Sequence, residues 1–215
     1  MQSGVKNTGM VFTKQQMYRY SSALAAVSLL CGTLLIYPAL PASAEEEEES
    51  PQQAVVQQII QFIKGKNVRL RDETLTRMAN TVYQESQLHE IDYRLVLAVI
   101  KVESNFRHDA VSNRGARGLM QIKPSLAKYI AKDAGISYSG HECLSEPENN
   151  IRLGVYHLSQ LMEDFKDMAT ALHAYNTGPA KLKGKLFKNK EPKNKFSKHV
   201  LSEYRKNIEV LPDIE

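Results

Sequence analysis

The chain has 215 residues, of which 42% are hydrophobic and 24% are charged, so its composition excludes a wholly disordered protein. Its two cysteines, Cys31 and Cys143, are too few for a disulfide scaffold. The net charge of +4 is an average over unlike segments. Without residues 1–44 and the five glutamates that follow them, 25 basic and 19 acidic residues remain, so the body of the chain is basic, at +6.

Residues 1–44 have the pattern of a secretory signal peptide. A charge-free apolar stretch over residues 21–40 follows two basic residues and leads into the small residues of an A-x-A signal-peptidase site. The alternative is an uncleaved membrane anchor. Pro38 and Pro41 limit a continuous helix to fewer than the roughly 20 residues that cross a bilayer, which favours cleavage and export to the periplasm or cell envelope.

A run of five glutamates, Glu45–Glu49, follows the predicted signal peptide. Like charges this close repel one another and stay solvated, so the run is typical of a tether. Apolar residues at helical spacing come next. We therefore assign residues 45–70 to an acidic tether and a leading helix, and residues 71–211 to the main domain.

Apolar residues recur every three or four positions, which predicts helices and no strand of convincing length. Stripes over residues 55–63 and 75–83 predict the first two helices, with the second beginning near Asp72. Asp92 is the predicted N-cap of a third helix that continues to Phe106, and this helix is apolar on nearly all sides, which predicts a central position. Further helices are predicted over residues 124–130, 147–165, 168–175 and 196–208. The predicted fold class is all-α.

Glu103 lies near the C-terminal end of that apolar helix, and the residues three, four and seven positions before it are hydrophobic. Apolar surroundings and the negative end of the helix dipole both disfavour a charged carboxylate, so the pKa of Glu103 is expected to be raised. A carboxyl group that is protonated near neutral pH is what a general acid requires. The alternative is an ordinary surface ion pair with Arg107, which spacing by itself favours.

Three short motifs follow one another in a fixed order from Glu103 onward. They are Glu103–Phe106, Gly118–Gln121 and Ala174–Asn176, and Asn150 and Gly154 stand between the second and the third. This series resembles the soluble lytic transglycosylase domain, the lysozyme-like family 23 of glycoside hydrolases that cleaves bacterial peptidoglycan. Each motif is weak alone, whereas three in the right order at plausible separations are a specific signal.

The resemblance implies a lysozyme-like, goose-type helical domain with a substrate groove, and it makes residues 71–211 a catalytic domain. It implies that Glu103 first protonates the glycosidic oxygen between N-acetylmuramic acid and N-acetylglucosamine. Glu103 then acts as a base on the C6 hydroxyl, which closes a 1,6-anhydro ring. This scheme needs one carboxyl group, unlike the pair that most glycosidases use. The residues with an implied role in binding substrate are Ser104, Met120, Gln121, Tyr175, Asn176 and Tyr204.

The chemistry of three of these side chains suits the roles that the resemblance implies. The Gln121 amide has both a donor and an acceptor for acetamido groups. Met120 provides an adaptable apolar wall, and packing on the core is its structural alternative. Tyr204 resembles the tyrosine whose hydroxyl holds the catalytic carboxyl group, and on an apolar helix face it would otherwise be a core residue.

No cofactor is implied, and no metal site is predicted because the six histidines are not at metal-ligand spacings. The implied partner is the glycan strand of peptidoglycan. The segment Lys181–Lys206 holds ten basic residues and two acidic ones, which suggests attraction to an anionic envelope surface, with a solvated surface as the default. Nucleic acid is not an expected partner of an exported protein.

Two other functions remain open at this point. One is a goose-type lysozyme, which hydrolyses the same bond. The other is a catalytically idle module that binds peptidoglycan or assists envelope assembly. The presence of both Glu103 and Gln121 argues against a degenerate copy of the enzyme.

Overall fold

The computed structural model describes residues 50–66, 68, 70–187 and 194–213, and the predicted signal peptide and the glutamate run lie outside them. These residues form eight α-helices and a 3-10 helix, His141–Ser145, and apart from isolated β-bridges they contain no strand, so the predicted all-α class is confirmed. The helices are α1 Pro51–Lys64, α2 Asp72–Leu88, α3 Tyr93–Ser104, α4 Pro124–Ile130, α5 Pro147–Phe165, α6 Met168–Thr177, α7 Pro179–Leu186 and α8 Lys195–Val210. None of the described helices is long and apolar enough to cross a membrane.

The leading helix α1 begins at a capping box. The Ser50 hydroxyl accepts a hydrogen bond from the Gln53 backbone N–H, and the Gln53 side chain accepts one from the Ser50 backbone N–H. The predicted apolar stripe is confirmed, except that Val55 is only partly buried. The buried face consists of Val56, Ile59, Ile60 and Ile63. Since α1 packs on α2, the leading helix contributes to the same hydrophobic core as the helices that follow.

The central helix is α3, as its sequence predicts. Residues 95–100 are at most 1% exposed, and the Asp92 side chain caps the helix by accepting from a backbone N–H of the first turn (2.8 Å). The predicted end at Phe106 is wrong, because the helix ends at Ser104 and the next two residues have positive φ angles of 52° and 62°. Asn105 tolerates this left-handed conformation, and the turn leads the fully buried Phe106 into the core.

Helix α8 packs along α3, and polar contacts fix it at the beginning of that helix. The Asn207 amide donates to the Arg94 carbonyl (2.8 Å), and the Tyr204 hydroxyl donates to Asp92 Oδ2 (2.7 Å). Arg94 also forms ion pairs with Asp92 and Asp213 (2.8 and 3.0 Å). Burial by itself raises the pKa of Asp92, but hydrogen bonds from Arg94 and Tyr204 outweigh this and lower it below its ordinary value.

Helix α7 is an element that the sequence analysis does not predict. Helix α6 ends at Thr177, two residues after the predicted end, Gly178 makes the turn with a φ of 89°, and Pro179 is the first residue of α7. Proline suits this position because the first helical N–H groups have no partner in the helix. Only Leu182 is buried among the eight residues of α7, so the helix has no apolar stripe that could reveal it.

Candidate active site

Glu103 lies in the last turn of α3 and is only partly exposed. Burial raises the pKa of its carboxyl group from the ordinary value of 4.5 to about 7. Within the described residues the carboxyl group has no hydrogen bond and no ion pair, and the Arg107 guanidinium instead donates to the Ser104 carbonyl (3.3 Å). The structure therefore agrees with the raised pKa expected from the sequence and not with the alternative of an ion pair.

Glu103 lines a groove of about 830 Å³, which we call the Glu103 groove. Residues of α3, the 107–123 loop, α4, α5 and the α6–α7 turn form its walls. The lining residues are Glu103, Ser112, Arg114, Ala116, Gln121, Ile122, Lys123, Leu126, Tyr129, Ile130, Asp133, Tyr156, His157, Gln160, Leu161, Asp164, Tyr175, Asn176, Thr177, Gly178, Pro179 and Lys181. Three of the predicted substrate-binding residues, Gln121, Tyr175 and Asn176, are therefore in the same groove as Glu103.

The loop before α4 positions Gln121. Its backbone has a φ of 51°, and its side-chain nitrogen donates to the Gly118 carbonyl (3.0 Å) and to the Ala110 carbonyl (3.2 Å). These two hydrogen bonds orient the amide within the groove and leave its oxygen without a partner among the described residues. A fixed amide with a free acceptor is suited to a ligand that donates N–H or O–H groups.

The Asn150 side chain, which is fully buried on α5, holds this loop in place. Its oxygen accepts from the Met120 backbone N–H (2.7 Å), and its nitrogen donates to the carbonyls of Arg117 and Leu144 (2.9 Å each). In the sequence, Asn150 stands between the second and third motifs and has no predicted role. Its three hydrogen bonds join the loop and the 3-10 helix to α5, which sets the position of Gln121.

Tyr175 connects the loop to α6 and α8. Its hydroxyl donates to the Met120 carbonyl (2.8 Å), and its ring contacts the rings of His157 (5.4 Å between centroids) and Phe196 (6.3 Å, nearly parallel). Burial raises the pKa of Tyr175 well above its ordinary value, and the nearby charge of Glu103 adds to the effect. Asn176, the next residue, is exposed in the groove.

Three other residues with an implied role in binding substrate do not line the Glu103 groove. The Met120 side chain is fully buried against Gly154 and does not line the groove, so packing on the core is its role. The buried Ser104 hydroxyl donates to the Ile100 carbonyl within α3 (3.1 Å). The Tyr204 hydroxyl donates to Asp92, which lies at the opposite end of α3 from Glu103, about 16 Å away at the helical rise per residue.

Sequence reasoning assigns no role to His157, Tyr156 or Tyr129, although all three line the groove. Burial lowers the pKa of His157 from its ordinary value of 6.5 to about 4, so the imidazole is neutral at physiological pH. One signal was available in the sequence, because His157 is three and seven residues after Gly154 and Asn150 and therefore shares their helix face. No group of three metal-ligating side chains occurs among the residues that the structure describes.

Replacing Tyr175 by Phe is expected to destabilise the fold by about 1–3 kcal/mol, because the Met120 carbonyl then lacks its hydroxyl donor in a buried position. Tyr83→Phe is the matched control, since no hydrogen bond from that partly buried hydroxyl occurs in the described structure. Urea unfolding of both variants measures the difference. Equal losses of unfolding free energy in the two variants would contradict the role of the hydroxyl.

The profile of the Transglycosylase SLT domain matches residues 80–198, more than half of the chain, and the chain therefore belongs to this family. It is 34% identical over 96 residues to the soluble lytic murein transglycosylase of Salmonella typhimurium, which is 44% of this chain and 15% of that protein. It is 32% identical over 96 residues to membrane-bound lytic murein transglycosylase C of Sodalis glossinidius, covering 44% of this chain and 27% of that one. The chain thus spans a minor part of the length of these relatives.

Solved structures show the same fold. The 70 kDa soluble lytic transglycosylase from Escherichia coli superposes with a TM-score of 0.56 at 21% identity, over 75% of this chain and 31% of that one. An inactive mutant of the lytic transglycosylase Slt from Pseudomonas aeruginosa, in which glutamine replaces a glutamate, superposes with a TM-score of 0.53 at 20% identity, over 75% and 36%. The lysozyme-like transglycosylase fold expected from the motifs is thereby confirmed.

Proposed function

We propose that this chain is a peptidoglycan lytic transglycosylase in which Glu103 acts first as general acid and then as general base. The observation that carries the proposal is the Glu103 carboxyl group, whose pKa burial raises to about 7 inside an open groove. Among the other carboxyl groups of the groove, Asp164 pairs with Lys183 (3.0 Å), and Asp133 is exposed. A single carboxyl group of the groove with a raised pKa supports a mechanism that needs one carboxyl group.

In the first step, Glu103 gives its proton to the oxygen between N-acetylmuramic acid and N-acetylglucosamine, and the bond from C1 of the muramic residue to that oxygen breaks. In the second step, the Glu103 carboxylate takes the proton of the C6 hydroxyl of the same residue while that oxygen bonds to C1. The carboxyl group is regenerated, and no water is consumed. Gln121 and Asn176 border the groove, where the free oxygen of Gln121 can accept from an acetamido N–H and the Asn176 amide can donate and accept.

The family comparison supports this assignment. The relatives are named as soluble and membrane-bound lytic murein transglycosylases, and a glutamate-to-glutamine substitution is present in the inactive Pseudomonas mutant. We assign the catalytic domain to residues 71–211, with α1 packed against it. We also propose export through the segment 1–44, glycan strands as substrate, and an anionic envelope surface as the partner of the basic segment Lys181–Lys206.

Digestion of purified sacculi followed by mass spectrometry tests the reaction. The expected products are muropeptides that end in 1,6-anhydromuramic acid, which are lighter by one water than hydrolysis products. Products with a free reducing end would instead identify a goose-type lysozyme. Binding to sacculi without any release of muropeptides would identify an idle peptidoglycan-binding module.

A further inference from the structure

Helix α7 ends in two exposed apolar side chains. Phe187, the residue directly after the helix, is 91% exposed, and Leu186, its last residue, is 41% exposed. Most aromatic side chains are buried at least in part, so a ring as exposed as that of Phe187 is unusual. The ring has no aromatic or cationic partner among the described residues and does not line the Glu103 groove.

The same helix carries positive charge that the protein does not neutralise. Its eight residues include Lys181, Lys183 and Lys185 and no acidic residue. Lys183 pairs with Asp164 of α5 (3.0 Å). Lys181 and Lys185 form no ion pair with any described residue. Helix α7 therefore presents unpaired ammonium groups next to an apolar tip.

The size and the chemistry of this tip point to lipid as its partner. Two side chains bury far less area than the roughly 800 Å² per partner of a stable protein interface. An anionic wall polymer would pair with the lysines, but a hydrated polymer has no apolar phase for an exposed ring. A bilayer has both, because its anionic head groups lie directly above the acyl chains.

We propose that the end of α7 docks on an anionic phospholipid surface. Phe187 and Leu186 enter the boundary between head groups and acyl chains, and the ammonium groups of Lys181 and Lys185 contact the lipid phosphates. This inference rests on the export and the anionic envelope surface proposed above. It goes further by naming lipid as that surface and an apolar tip as the anchor.

The position of α7 gives this docking a consequence for the groove. Gly178, Pro179 and Lys181, at the beginning of the helix, line the Glu103 groove. Leu186 is about 10 Å further along the axis at the helical rise per residue. A chain that docks through the end of α7 therefore holds the groove near the lipid, which favours glycan strands next to the membrane as substrate.

Fluorescence of a Phe187→Trp protein tests the docking with the full chain. The sequence has no tryptophan, so this substitution adds a single reporter at the proposed anchor. Vesicles of phosphatidylcholine with about one third phosphatidylglycerol should shift its emission to shorter wavelengths, and brominated lipids should quench it. Adding Lys185→Gln should raise the lipid concentration of the half-maximal shift about fivefold. Leu88→Trp is the matched control, since Leu88 is 71% exposed at the end of α2, outside the basic segment and the groove.

Three results would overturn the docking. They are an unchanged emission of the Phe187→Trp protein on anionic vesicles, an equal shift on vesicles of phosphatidylcholine alone, and an equal shift of the Leu88→Trp protein. Binding to sacculi without a shift on vesicles would instead make a wall polymer the anionic partner. The proposed reaction fails separately, because a chain that docks on anionic vesicles but releases no anhydro product contradicts the reaction and supports the docking.

Discussion

Glu103→Gln is expected to reduce the rate of glycan cleavage by about 10³-fold or more, since in the proposed reaction this side chain supplies both the acid and the base. Glutamine keeps the size of the side chain but neither gives nor takes a proton. Release of anhydromuropeptides from sacculi measures the loss. Glu209→Gln removes the same charge from an exposed position on α8 and should leave the rate unchanged. A Glu103→Gln protein that retains the wild-type rate would refute the assignment.

The same substitution, Glu103→Gln, is expected to raise the free energy of unfolding although it lowers the cleavage rate. The folded-state pKa of Glu103 is about 7 against an ordinary value of 4.5, so ionising the folded protein costs up to about 3 kcal/mol of unfolding free energy. Below pH 4.5 the group is protonated in the folded and the unfolded chain, and above pH 7 it is ionised in both. The stabilisation by Glu103→Gln should therefore grow as the pH rises from 4.5 to 7 and stay constant beyond that range.

Urea unfolding of the wild-type and Glu103→Gln proteins at pH 4 and at pH 8 measures this difference. The wild-type cleavage rate should also fall above about pH 7, because the acid form is lost there. A gain in stability that is the same at both pH values would mean that the substitution acts through packing. Such a gain would not come from removing a buried charge.

Gly118→Ala is expected to destabilise the protein by about 3 kcal/mol more than Gly115→Ala, which is a matched control. Both glycines have a φ of 76°, so alanine is strained equally at the two positions. A Cβ at Gly118 would lie 2.2 Å from the Asn150 side-chain nitrogen and 2.3 Å from the Leu144 carbonyl oxygen, whereas a Cβ at Gly115 has no atom within 4 Å. The difference therefore measures the steric cost of the contacts with Asn150 and the Leu144 carbonyl.

Thermal or urea unfolding of the two glycine variants measures this difference. The control variant, Gly115→Ala, should lose only the unfolding free energy that a positive φ angle costs an alanine. Because Asn150 also holds the Met120 backbone, Gly118→Ala should displace Gln121 and impair glycan binding even where the protein folds. Equal unfolding free energies for the two variants would show that the loop gives way without disturbing Asn150.

Much of the fold could be predicted from local sequence patterns. The apolar positions of α3 recur so densely that a central helix is the only arrangement that buries them, and Asp92 caps it as expected. The raised pKa of Glu103 followed from the same pattern, since the apolar neighbours that desolvate it include residues of its own helix. Helix α7 lacked such a pattern and was missed for that reason.

The groove residues were predictable where a family motif includes them. Gln121, Tyr175 and Asn176 lie in the groove as the motifs predict. Tyr204 was assigned to the wrong carboxyl group, because its hydroxyl bonds to a residue 112 positions away and no periodicity indicates which end of α3 it meets.

The sequence by itself determined seven of the eight described α-helices, most of their buried faces, the family resemblance and the carboxyl group of Glu103 among apolar residues. The tertiary structure decided that Met120 packs on Gly154, that Asn150 holds the loop, and that Tyr129 and Tyr156 share the groove with Glu103. The physical reason is that helical periodicity and capping are short-range properties of the chain, whereas a groove is formed by side chains from distant segments.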